Sequence, residues 1–336
     1  MSLQLLGVAV VGLGVGEQHA RAYLRTAGCT LLWLYDIDAN RMHRIANVLG
    51  EGQATDSYEC IIADQSVDVV SIASYDDAHF TQLVAALEAG KHVFVEKPLC
   101  RSLEELRIVK QAWQVSGCQR MTSNLVLRAA PIYQWLLDAI GSGELGEIYA
   151  FDGDYLYGRI HKLTEGWRKD VGNYSVMQGG GVHLVDLMLW LTNQKPLSVT
   201  TVGNRISTTG SDFRYDDFMA STFQFPSGLI GRISANFGCV HGHQHVVRVF
   251  GTKGTFIHDD QGPRLHTTRD PSSPARVLDI STLPGSKGDL IPGFVAGIVN
   301  GTDESANTQH EFDVISVCVT ADKSLDTKST SEIEYV

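Results

Sequence analysis

Val8-Ala9-Val10-Val11-Gly12-Leu13-Gly14-Val15-Gly16 decides how this chain begins to fold. An apolar run that breaks into alternating glycines and then takes helix-like spacing reads as strand, tight turn and helix start. Glycines in such a turn permit φ > 0 and let the backbone approach a pyrophosphate. The helix start adds N–H groups and the positive end of its dipole. Asp36 ends the next apolar run, Leu31 to Tyr35, and lies 24 residues after Gly12. A carboxylate there accepts hydrogen bonds from the adenosine ribose hydroxyls and repels a 2′-phosphate. No Arg follows directly in Asp36-Ile37-Asp38, so NAD is expected in preference to NADP. Gly12, Gly14, Gly16 and Asp36 are the first expected cofactor contacts.

The same alternation continues outward. Val67 to Ile72 and His92 to Val95 are further apolar runs, and Asp38 to Leu49, Thr81 to Ala89 and Leu103 to Val115 carry helical spacing. Unbroken β-branched runs separated by helices imply a parallel sheet with right-handed crossovers. Composition changes after residue 122. A helix at Pro131 to Ile140 is followed by β-prone stretches at Ile148 to Tyr157, Val199 to Ile206, Met219 to Phe225, Leu229 to Phe237 and Val246 to Phe250. One buried helix, Val182 to Leu191, falls among them. The expectation is an α/β protein of two domains. Residues 1–122 form a doubly wound parallel sheet; residues 123–336 form an α+β domain with a large, mostly antiparallel open sheet. The Gly/Pro/Ser-rich stretch 261–288 reads as an exposed loop.

Length and composition agree with this division. The chain has 336 residues, 43% of them hydrophobic, against roughly 100–200 residues per domain. Its 27 basic and 38 acidic residues leave a net charge of −11, which disfavours nucleic acid as a partner. The six cysteines, at 29, 60, 100, 118, 239 and 318, form no C-x-x-C pair, so a reducing cytoplasm is expected and no metal. No Lys or Arg precedes Arg21, which argues against a secretory leader, and no apolar run is long enough for a membrane helix. His241, His243 and His245 alternate as strand neighbours do, which makes a shared face, and with it metal binding, conceivable; a polar strand face is the plainer reading.

Ala89-Gly90-Lys91-His92-Val93-Phe94-Val95-Glu96-Lys97-Pro98 carries the most specific signal in the chain. With Ala73 to His79, Ser123 to Pro131, Gly179 to Asp186 and Gly251 to Thr255, it resembles the Gfo/Idh/MocA oxidoreductases, and the likeness spans nearly the whole chain. The resemblance implies a Rossmann domain, an open-sheet second domain and homo-oligomers. It also implies NAD(P)-dependent oxidation or reduction at a sugar, nucleotide-sugar or polyol carbon. It adds His19, Ser74, His79, Glu96 and Lys97 to the cofactor contacts. The chain departs from the family pattern in three places. The glycine turn is one residue shorter, Tyr75-Asp76 stands where Pro-Asn is usual, and Gly179 stands where many members carry an acid four residues before the catalytic His.

Alcohol oxidation needs a hydride acceptor and a base for the hydroxyl proton. Lys97, at a strand end, and His183, at a helix start behind three glycines, are the expected acid–base pair. The glycines are expected to leave His183 uncrowded. Asp186, one turn beyond His183, orients it, binds substrate or caps a buried network. Asn124, Arg128, Trp167 and Arg168 are the remaining substrate-contact candidates, alongside His183 and Asp186. The stretch from Asn124 to Arg128 tilts the expectation toward nucleotide sugars. Tyr155 and Tyr157 share a strand face on which a sugar can stack. What replaces the acid absent at Gly179 stays open, with Tyr174 one of the options. A dinucleotide-binding sensor without catalysis is the competing class.

Overall fold

The computed structural model describes residues 5–336. In chain order the first elements are β1 (Leu6–Val11), α1 (Gly16–Arg25), β2 (Cys29–Tyr35), α2 (Ala39–Leu49), β3 (Gln53–Ala54), α3 (Tyr58–Ala63), β4 (Val69–Ile72), α4 (His79–Glu88), β5 (His92–Val95), α5 (Leu103–Val115) and β6 (Met121–Ser123). They are followed by α6 (Pro131–Gly141), β7 (Ile148–Leu156), α7 (His161–Thr164), α8 (Val182–Thr192), β8 (Ser198–Asn204), β9 (Phe218–Gln224), β10 (Ile230–Asn236), β11 (Gln244–Gly251), β12 (Thr255–Asp259), β13 (Gly262–His266) and β14 (Arg276–Val277). The chain closes with α9 (Ile291–Asn300), α10 (Ser305–Thr327) and β15 (Ser331–Glu332). The chain separates into two compact units. The first comprises residues 5–126, 284–315 and 336, and the second residues 127–283 and 316–335.

The first unit is a six-stranded parallel sheet in the order β3-β2-β1-β4-β5-β6. The direction of winding reverses between β1 and β4, the switch point at which doubly wound sheets bind ligands beyond their carboxyl ends. Residues 284–315 belong here, whereas a single cut at 122/123 assigns them to the second domain. The reason is apolar packing: Ile291, Phe294 and Val295 of α9 join Val8, Val10, Tyr23, Leu34 and Phe94 in one core. Such a return is invisible to a reading that follows composition along the chain.

The second unit is built on a nine-stranded sheet, β14-β13-β12-β11-β7-β10-β9-β8-β15, antiparallel except where β10 runs parallel to β7. Nine of the 11 residues of α8 are buried, so this mostly apolar helix is covered on nearly all sides. It lies against small residues of the sheet: a Cβ on Gly153 would come within 3.1 Å of the Leu184 side chain, and one on Gly231 would overlap the Met188 sulfur. The stretch 261–288 is not only loop. Gly262, at φ +81°, turns β12 into β13, and Arg264 pairs with Val277 of β14.

The alternation in Leu229 to Phe237 gives β10 one apolar face, which an open sheet leaves uncovered unless a helix packs on it. Ile233, Ala235 and Phe237 are instead buried, whereas Arg232 on the opposite face is largely exposed. That opposite face carries cross-strand ion pairs: Arg232 with Asp152, Arg248 with Asp154 at 3.2 Å, and Arg264 with Asp259 at 2.6 Å. The period of two was read correctly, and the helix took the apolar side.

Candidate active site

The expected cofactor residues lie at the carboxyl ends of successive strands of the first unit: Gly12 after β1, Asp36 after β2, Ser74 after β4, Glu96 and Lys97 after β5. The three glycines do different work. Gly12 has φ +81°, and a Cβ there would sit 2.5 Å from the backbone of Ala73 and Ser74. Gly16 packs α1 onto the sheet, where a Cβ would meet Val10 at 3.1 Å and Ala73 at 3.3 Å. Gly14 has nothing within 4 Å of its Cβ position, which is the open backbone a pyrophosphate needs. Asp36 is buried, and its carboxylate accepts from Leu13 N at 2.6 Å and Asp38 N at 2.8 Å. Turn, helix start and strand-end acid therefore fit a dinucleotide. Arg41 was not foreseen: its guanidinium reaches Asp36 at 3.3 Å and Asp38 at 3.6 Å. Asp38 caps α2 through Arg41 N, which sets Arg41 in the first turn.

His19 and His79 are fully buried and hold the loops from behind. The His79 ring lies 2.8 Å from Pro98 O and 3.2 Å from Ser74 O, tying the loop after β4 to the turn after β5. Ser74 Oγ donates to Gln82 at 2.6 Å. His19 Nδ1 meets Ser71 Oγ at 3.1 Å, and its Nε2 lies 3.3 Å from Glu96 Oε1. Asn124 Nδ2 donates to the same Glu96 oxygen at 2.7 Å and to Lys287 O at 2.8 Å. Burial alone would push the Glu96 carboxyl up; hydrogen bonds from His19 and Asn124 and the charges of His19 and Lys97 outweigh it and bring it down to about 2. Half-buried Lys97 thus stands beside a carboxylate that stays ionised.

In the second unit, the glycines before His183 are not open space. Met177–Gly181 forms a π-helical turn leading into α8. A Cβ on Gly179 would overlap the Tyr174 hydroxyl, one on Gly180 the Tyr155 ring, and one on Gly181 would lie 2.5 Å from the Met177 sulfur. His183 is 6% exposed, stacked on Tyr155 at 6.4 Å and edge-on to His245 at 5.9 Å. Tyr155 and Tyr157 stack on each other at 6.0 Å, as their shared strand face required. Arg168 Nε donates to Tyr174 Oη at 2.9 Å, and its guanidinium lies 4.6 Å from the Trp167 ring. Asp186 is fully buried and takes Arg128 in a two-pronged ion pair at 2.6–3.1 Å.

A profile described as "Oxidoreductase family, NAD-binding Rossmann fold" matches residues 6–124, and the GFO/IDH/MocA C-terminal domain matches residues 133–257. The chain belongs to the Gfo/Idh/MocA oxidoreductase family. It is 27% identical over 297 residues to the scyllo-inositol 2-dehydrogenase (NAD(+)) of Bacillus subtilis, covering 85% of this chain and 80% of that protein. It is 28% identical over 243 residues to the 1,5-anhydro-D-fructose reductase of Ensifer adhaerens, covering 70% of this chain and 69% of that one. Levoglucosan dehydrogenase in complex with NADH shares the fold at a TM-score of 0.87 and 20% identity, over 99% of this chain and 100% of that one. The protein is an NAD(P)-dependent oxidoreductase.

The remaining candidate residues each have partners of their own. Asn124 serves Glu96, and Arg128 faces Asp186. His241 leaves the line of its neighbours, with Nε2 on Asp260 at 3.2 Å, while His243 and His245 pack edge-on at 5.0 Å. Among the described residues no three His, Cys, Asp or Glu side chains are grouped to hold a metal, and no helix is long and apolar enough to cross a membrane. Arg41 had a readable signal, its place in the first turn of a helix that Asp38 caps. Tyr174, one of the options named for the gap at Gly179, is the side chain that closes over it.

Proposed function

We propose that this enzyme oxidises a ring CH–OH of a cyclic polyol or sugar, or reduces the matching carbonyl, with NAD as partner. The observation that carries the reading is Lys97, set at the carboxyl edge of the sheet beside the ionised Glu96. The nicotinamide, when bound, supplies the hydride acceptor or donor. Lys97 holds the substrate hydroxyl proton, and in its charged form stabilises the alkoxide. His183 is the second acid–base group, and Tyr155 fixes its ring plane. The relatives' substrates, an inositol and an anhydro-sugar, support a compact polyhydroxylated ring.

Asp36 supports NAD over NADP, and Arg41 moderates the preference, because a guanidinium beside the carboxylate also suits a 2′-phosphate. All six thiols are free, which supports a reducing cytoplasmic location. Exposed Val202 and Ile230 on the sheet of the second unit support self-association, and sedimentation at micromolar concentration tests it. The function itself is tested by following cofactor reduction with myo-inositol, scyllo-inositol, levoglucosan and free hexoses, each with NAD and NADP. Turnover of a cyclic polyol with NAD is the expected result. A protein that binds NAD and changes its affinity with a polyol, yet never reduces the cofactor, is a sensor.

A further inference from the structure

Tyr174 occupies the volume that a side chain at position 179 would fill. A Cβ on Gly179 would lie 2.9 Å from Tyr174 Cζ and overlap the hydroxyl. The phenol is anchored at its tip and at its backbone. Arg168 Nε donates to Tyr174 Oη at 2.9 Å, with the same guanidinium 5.9 Å from the centroids of the Tyr157 and Tyr174 rings. On the backbone side, Ser175 Oγ accepts from Met177 N at 3.1 Å and Gln178 N at 3.2 Å and donates to Asp322 at 2.6 Å. Gln178 Nε2 donates to the other Asp322 oxygen at 2.6 Å.

The ring packs edge-on against Trp167 at 6.2 Å and Phe237 at 6.4 Å. Tyr155, which stacks on His183, packs on Phe237 as well, at 5.5 Å. One aromatic cluster therefore holds both the His183 imidazole and the Tyr174 hydroxyl. A phenol that accepts from a guanidinium is a polarised donor. Its orientation is set before any ligand arrives, so little ordering is needed on binding.

We propose that Tyr174 is a substrate-contacting specificity residue, whose hydroxyl, fixed over Gly179 by Arg168, donates a hydrogen bond to one ring hydroxyl of the polyol. This rests on the dehydrogenase reading above. Arg168 is the positioning residue for that hydroxyl, and Gly179 is glycine because the phenol needs its place.

The test compares wild type with Tyr174→Phe, which keeps the ring and removes the hydroxyl. The substrates are the best cyclic polyol and its set of single-deoxy analogues. A lost hydrogen bond from a polarised donor predicts a fall of about 10- to 100-fold in kcat/KM on the intact polyol, with NAD affinity and Tm nearly unchanged. Wild type should discriminate against every analogue that lacks a contacted hydroxyl. Tyr174→Phe should lose its discrimination against one of them only, because the two deletions remove the same bond. Gly179→Ala, which displaces the hydroxyl, should reproduce that pattern in a protein that still binds NAD. An active wild type with an indifferent Tyr174→Phe overturns this inference alone. So does a Tyr174→Phe variant that loses the same factor on every analogue, since that marks a merely structural role. A wild type inert on all polyols overturns the dehydrogenase reading, and this inference with it.

Discussion

Two buried carboxylates, one in each unit of this protein, behave in opposite ways. Glu96, behind Lys97 in the first unit, is brought down to about 2. Asp322, behind the Tyr174–Gly179 turn in the second, is pushed up to about 6. Burial raises both. The difference lies in the partners. Glu96 faces His19, Lys97 and Asn124, two of which can carry positive charge. Asp322 has the hydrogen bonds of neutral Ser175 and Gln178, which lower it too little, and nearby Asp326, which raises it further. An acid kept charged at all working pH is suited to hold a cation in place. An acid that titrates near pH 6 makes the turn it supports sensitive to pH.

The largest expected effect comes from removing the cation beside Glu96. Lys97→Met should lower turnover by about 10²–10⁴-fold while leaving the NAD dissociation constant nearly unchanged. Lys97→Arg should not restore the rate, because a guanidinium does not release its proton near pH 7. Steady-state kinetics and a cofactor titration on the same preparations check both statements.

The second expectation concerns stability against pH. The usual value for an Asp is 3.8, so between about pH 4 and pH 6 the unfolded chain releases the Asp322 proton before the folded one does. The Asp322 contribution therefore falls as pH rises through that window, costing up to about 3 kcal/mol at neutral pH. Asp322→Asn should flatten that slope and raise Tm above pH 6, leaving Tm near pH 4 almost unchanged. Glu96 has the opposite sign. Its contribution is complete above its ordinary value of 4.5 and is lost as pH falls toward 2. Unfolding midpoints of wild type, Asp322→Asn and Glu96→Gln from pH 3 to pH 8 should separate the two slopes.

A third test weakens one partner of Glu96 without touching Lys97. Asn124→Leu removes a donor from a buried carboxylate and should cost about 1–3 kcal/mol in urea unfolding, with an upward shift in the Glu96 titration. An unchanged stability would mean that His19 and Lys97 alone hold the anion.

The smallest effect is expected at a third buried acid. Asp36→Ser frees Arg41 from its ion pair, so NADP affinity should rise and the NAD preference shrink by roughly tenfold, about 1.4 kcal/mol. Adding Arg41→Ala should remove the gain for NADP while sparing NAD. Paired dissociation constants at one salt concentration decide this.

The first unit was legible because its evidence is local. Gly12, Gly14 and Gly16 stand within five residues, Asp36 ends the neighbouring strand, and Glu96-Lys97 follow directly on β5. In a parallel sheet every strand end reaches the same edge, so reading the strands in order also locates the candidate cofactor residues. The strands of the second unit were found by their period of two, and α8 by its continuous apolar run. The role of its glycines was misread. Gly179 to Gly181 looked like clearance for His183, and they are the seats of Tyr174, Tyr155 and Met177.

Taken alone, the sequence determined the fold class, the family, the dinucleotide turn and the residues most exposed to catalytic interpretation, since each is written in a contiguous stretch whose period and turn chemistry are set by neighbouring residues. Only the tertiary structure decided which side chains share a charge or a volume. Arg128 meets Asp186 across 58 positions, Asn124 meets Glu96 across 28, and Asp322 meets Ser175 across 147. The pull on a buried carboxylate is set by whatever lies within a few ångströms of it. Chain separation carries no information about that distance once helices and sheets have packed. For this reason one buried carboxylate, Glu96, is an anion in its unit, while another, Asp322, is a titrating acid in the other.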